Sequence, residues 1–122
     1  MIKWFNAKER NGVASLYATN ITLNTTAMYP LDFAYKVQVG IDDNNNIVVK
    51  PLSKEVVESG ILDEYSLLKL EFHKSFARIS SAILMKQIAE SLNIALGKTP
   101  VQYKTQWDSK ENILMIMTKE GK

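Results

Sequence analysis

Apolar and polar positions alternate with a period of two in several short stretches of this chain, and with a period near 3.6 in one longer stretch. Tyr35, Val37, Val39 and Ile41 fall on one face of residues 35–41, with Lys36 and Gln38 on the other, which predicts a half-buried strand. Asp42-Asp43-Asn44-Asn45-Asn46 then reads as a turn, because Asn and Asp tolerate positive φ and bond their own backbone. Ile47-Val48-Val49-Lys50 resumes the strand and Pro51 closes it. A second hairpin follows from 101–107, the turn Asp108-Ser109-Lys110-Glu111-Asn112, and 113–118. Shorter apolar runs predict strands at 13–18 and 21–23, broken at Thr19-Asn20, and alternation returns over 66–72.

Helical signals are fewer. Leu84, Met85, Ile88, Ala89, Leu92 and Leu96 keep the i, i+3/i+4 spacing, with Ser80 or Ser81 as cap and Gly97 as stop, so the longest helix is expected over 81–95. Ser53 caps a short helix at 54–58 that Ser59-Gly60 ends. Asn24 or Thr25 can cap a single turn before Pro30 interrupts it. The expected class is α+β.

The two hairpins resemble each other. Ile41-Asp42, three polar residues and Asn46-Ile47-Val48-Val49 read against Trp107-Asp108, three polar residues and Asn112-Ile113-Leu114-Met115, with 66 positions separating Asp42 from Asp108. Upstream, 58 positions separate Ile21 from Ile79. The expectation is one domain, 1–122, of two β-hairpin and short-helix repeats at 13–52 and 72–118 that pack together, since neither half can bury its own apolar face.

Composition narrows the chemistry. With no cysteine, thiolate catalysis and cysteine-based metal sites are excluded. The net charge is +2, from 13 Lys and only 2 Arg set against 13 acidic residues, which permits nucleic-acid binding without demanding it. The opening MIKWFNAKERNG carries neither the apolar core nor the small-residue cleavage site of a signal peptide, and no apolar run approaches the roughly 20 residues that cross a bilayer. A cytoplasmic location is expected. His73 stands alone in an alternating stretch, and Asp63-Glu64 are neighbours whose side chains diverge on a strand or lie in a solvated turn. With no phosphate loop, dinucleotide fingerprint or nucleophile elbow, no enzyme activity and no cofactor are expected.

Two stretches carry family resemblances. Lys3-Trp4-Phe5-Asn6-Ala7-Lys8 resembles the first strand of a cold-shock domain. Glu9-Arg10-Asn11-Gly12-Val13-Ala14 then replaces the glycine and aromatic positions of that family, so Trp4 and Phe5 are expected to pack as a terminal strand. More broadly, ITLNTTAMYPLDFAYKVQVGIDDNNNIVVKP (21–51) resembles the swapped-hairpin module of AbrB-type and MraZ-type transcription factors, and the doubled arrangement is most like MraZ. That resemblance implies interleaved hairpins, an oligomer, and basic residues of the first strand and helix facing double-stranded DNA. It places Arg78 and Lys86 in those positions of the second half, where the first half has Asn20 and Met28. The MraZ signature of aspartate, lysine, glycine and arginine is absent from both halves. The candidate phosphate contacts are Lys3, Lys8, Arg10, Arg78 and Lys86. Two functions stay open: a DNA-binding transcriptional regulator, or a protein–protein interaction module that keeps the fold without the DNA face. The expected partners are a second copy of the chain, with DNA or another protein, and no membrane.

Overall fold

In a computed structural model, which describes residues 1–5 and 11–118, the chain runs β1 (Val13–Leu16), β2 (Asn20–Asn24), α1 (Thr25–Met28) with a 3-10 turn (Tyr29–Leu31), β3 (Lys36–Ile41) and β4 (Ile47–Leu52). It continues with α2 (Lys54–Glu58), a second 3-10 turn (Glu64–Ser66), β5 (Glu71–Phe72), β6 (Phe76–Ser80), α3 (Ala82–Leu92), β7 (Val101–Asp108) and β8 (Ile113–Ile116). The strands form one eight-stranded sheet in the order β3-β4-β8-β7-β1-β2-β6-β5, with every neighbouring pair antiparallel. It curls into a half-barrel accompanied by three short helices, an α+β arrangement.

The curl has a local origin in β7, which is shared lengthwise. Val101–Lys104 pair with β1 and Thr105–Asp108 pair with β8. The concave side carries the alternate residues that the period of two selects: Leu16, Ile21, Leu23, Val37, Ile47, Val49, Ile79, Leu114 and Ile116 are fully buried. Each such side chain contributes about 1.5–3 kcal/mol relative to exposure. α3 adds Met85 and Ile88 to this core and turns Lys86, Gln87 and Glu90 to solvent.

Most boundaries follow the turn and cap chemistry. The Ser81 hydroxyl accepts from Leu84 N at 3.1 Å, Ser53 caps α2, and Asn24 caps α1. Four differences from the sequence reading have physical causes. α3 ends at Asn93, which takes the left-handed conformation itself (φ 54, ψ 50), so the helix stops before Gly97. β4 runs through Pro51 because Pro51 faces Val37, a position that needs no ladder N–H. The stretch 66–72 is a strand only at Glu71–Phe72, with an isolated bridge from Leu68 to Val37. Finally, the two hairpin turns differ in length: Ile41 pairs with Ile47 across five residues, whereas Asp108 pairs with Ile113 across four.

Candidate nucleic-acid interface

β6 shows how the sheet makes two different faces from one strand. Ala77 and Ile79 point into the core, which sends Phe76, Arg78 and Ser80 to the convex side. Arg78 lies between Thr22 of β2 and Glu71 of β5 in the ladder. Its guanidinium carbon sits 5.0 Å from the centre of the Phe76 ring, and the His73 ring stacks on Phe76 at 4.4 Å and 17°. A cation over an aromatic face gains about 0.5–2 kcal/mol. The Arg78 Nε is shut off from solvent and has no hydrogen-bond partner. Glu71 makes no ion pair with it; Lys54–Glu58, at 4.0 Å, is the ion pair among the described residues. The guanidinium is thus stacked on the ring with its Nε unpaired, and Glu71, its partner across the ladder, makes no direct ion pair with it.

Next to this stack the convex face is hollow and mixed in character. Polar Ser15, Thr22, Asn24, Ser75 and Gln102 line an open depression of about 460 Å³ together with Val13 and Phe76. Gln102 Nε2 donates to Ser15 Oγ at 3.1 Å, and Thr22 Oγ1 donates to Asn20 Oδ1 at 2.8 Å. Asn24 is committed to structure: its Oδ1 accepts from Val13 N and Ala27 N, both at 3.0 Å, and its Nδ2 donates to the Asn11 carbonyl at 2.9 Å. Lys104, opposite Val13 in the ladder, projects from the same convex side, since its neighbour Tyr103 points inward. The exposed tip of the β5–β6 hairpin adds His73 and Lys74. Such a surface can hold an anion against Arg78 while hydroxyls and amides serve as donors and acceptors.

The residues singled out from sequence do not all meet here. Arg78 belongs to this face. Lys86 is exposed on α3, a different element, whose Met85 and Ile88 turn toward the core. Lys8 and Arg10 lie outside the described residues. Lys3 is exposed, and so are Trp4 and Phe5, at 82% and 90%, in a segment without strand structure. The expected terminal strand is therefore not formed: both edges of β1 are already taken, by β2 and β7, leaving no vacancy beside it. Sequence reasoning missed Phe76 and the stack on it, although Phe76-Ala77-Arg78-Ile79-Ser80 alternates with period two.

Among the described residues no group of three or more His, Asp and Glu side chains could hold a metal ion, and no helix is long and apolar enough to cross a membrane. Comparison with protein-family models, with curated proteins and with solved structures gives no match.

Proposed function

We propose that the chain is a DNA-binding regulator of the swapped-hairpin kind, working non-enzymatically in the cytoplasm through the convex face of β7, β1, β2 and β6. The observation that carries the DNA reading is Arg78, stacked on Phe76, with its Nε unpaired and in no direct ion pair, beside a hollow lined by Ser15, Thr22, Asn24, Ser75 and Gln102. A phosphate would give the guanidinium the direct charge-assisted hydrogen bonds that Glu71 does not make.

Strand pairing supports the swapped-hairpin part. Each hairpin is flanked on both sides by the opposite half: β3–β4 lies between β8 and Leu68, and β7–β8 lies between β4 and β1. The registers also agree with a two-fold duplication. A shift of 58 positions takes Ile21 to Ile79, its direct partner, and a shift of 66 takes Val37 to Tyr103. If the first strand shifts by 54, Ala14↔Tyr103 becomes Leu68↔Val37, which is the isolated bridge. The same shift turns Leu16↔Ile21 into Leu70↔Ile79, the continuation of the β5–β6 register. One shift satisfies two independent pairings. On this reading the second repeat begins at Leu68, and the shorter second turn matches Ile47 and Val49 with the equally buried Leu114 and Ile116.

The test is fluorescence anisotropy with a mixed-sequence duplex, starting at about 50 mM salt and rising. Binding should weaken with salt at a log–log slope of about −0.9 per phosphate neutralised. Arg78→Ala should flatten that slope by about one unit, and Lys86→Ala measured singly and together with it shows whether the two share one phosphate track. Absence of binding at the lowest salt sinks the DNA reading. The interaction-module reading would then stand.

A further inference from the structure

β3 is the edge strand of the half-barrel, and only part of its outer edge is covered. Val37 N donates to the Leu68 carbonyl at 2.9 Å, and Leu68 N donates to the Val37 carbonyl at 2.8 Å. Backbone groups of alternate residues point the same way along an antiparallel strand. Val39 and Ile41 therefore aim their amides and carbonyls outward too, and among the described residues nothing pairs with them. The corresponding place in β7 is filled, where Thr105 N donates to the Gly12 carbonyl at 2.9 Å.

The uncovered edge is a slot with two unlike walls. On one side Val39, Ile41, Leu84 and Ile88, together with Gln87 and Ser91, line a hollow of about 230 Å³. On the other a hollow of about 410 Å³ meets Gln38, Lys50 and Ser66 together with Val48. An extended segment with apolar residues at alternate positions fits such a slot, backbone to backbone along the edge. At its end the slot runs into Asp42-Asp43.

The same chain carries an uncovered segment of that description. Ile2, Trp4 and Phe5 are 68%, 82% and 90% exposed, Lys3 is the charged residue among them, and the segment forms no strand. Extended, it would put Ile2 and Trp4 on one side and Lys3 and Phe5 on the other. The apolar pair matches the Leu84–Ile88 wall, and Lys3 matches the acidic turn.

We propose that Ile2–Phe5 of a second copy adds as a strand to the edge of β3 at Val39–Ile41, and that the exchange is reciprocal, giving a two-fold dimer. This depends on the sheet edge and is independent of DNA binding.

The experiment uses the full chain with Trp107→Phe, so that Trp4 is the sole tryptophan. Light scattering and Trp4 emission are followed together from low to high micromolar concentration. The expected result is a dimer whose formation shifts Trp4 emission to the blue. Ile41→Lys, which blunts the edge with a charge, and Trp4→Ser/Phe5→Ser, which removes the anchors, should each weaken it about tenfold or more. Circular dichroism matching the parent confirms that both variants fold. A monomer at every concentration overturns the proposal. So does a blue-shifted Trp4 in a monomer, which means the segment docks on its own chain, and so does a dimer indifferent to both variants, which uses another surface.

Discussion

Ile21 and Ile79 face each other across β2 and β6, the seam where the two halves of the chain meet, and both are fully buried. Ile79→Ala removes buried carbons at a point that backbone pairing holds in place, so the site collapses little and the loss lies at about 2–5 kcal/mol. Ile79→Val, which removes a single methyl group, should cost about 0.5–1.5 kcal/mol. Domain stabilities are about 5–15 kcal/mol, so the alanine variant gives up a large fraction of the total. At about 3–5 °C per kcal/mol for a chain of this size, the melting midpoint falls by roughly 6–25 °C. Ile83→Ala, exposed on α3, is the control and should stay within about 0.5 kcal/mol. Urea denaturation is followed by far-ultraviolet circular dichroism and by tryptophan emission, in which half-buried Trp107 reports on the second half. β2–β6, β4–β8 and β1–β7 all join the halves, so both probes should move through one transition and shift together. A cost below about 1 kcal/mol, or two separated transitions, would refute the reasoning that the seam holds a single cooperative unit.

Two further substitutions test local chemistry. Ser81→Ala removes the cap of α3 and should cost about 1 kcal/mol by the same denaturation assay, with Ser81→Asp restoring it. At Gly12 an added methyl group would run into Thr105 Oγ1 and come within 3.3 Å of the Ala27 Cα and Cβ, so Gly12→Ala should lower stability by about 1–3 kcal/mol, and Thr105→Ala in the same chain should recover part of it.

The hairpins and α3 were legible because their signals are local. Asp42 accepts from Asn44 N and Asn46 N at 2.8 and 2.9 Å, and Asp108 accepts from Lys110 N and Glu111 N at 2.9 and 3.2 Å, as polar turns opening on Asp suggest. What could not be read locally was decided by neighbours. Residues 66–72 alternate well, yet their middle forms no regular strand, because only Leu68 reaches β3 while Glu71 and Phe72 turn to β6. Trp4 and Phe5 look like buried aromatics in composition, yet both edges of β1, the strand that follows them, are occupied and they lie outside the core. Arg78 was found by position in a motif. Its stacking partner, Phe76, needed the β6 pleat to put both side chains on one face.

The lengthwise sharing of β7 bears on how the chain comes off the ribosome. Until residues 101–116 have been synthesised, β1 lacks its β7 partner and β4 lacks β8, so the two edges that will be joined stay bare. The sheet can close only when its last hairpin slides between strands made much earlier, a late and non-local step of the kind that slows folding. During that interval β4, with its Ile47-Val48-Val49 run, is a template for pairing with another nascent chain. Truncation before Val101 should therefore yield aggregates in place of a smaller folded protein, and expression should depend on holding partially made chains apart until β8 arrives.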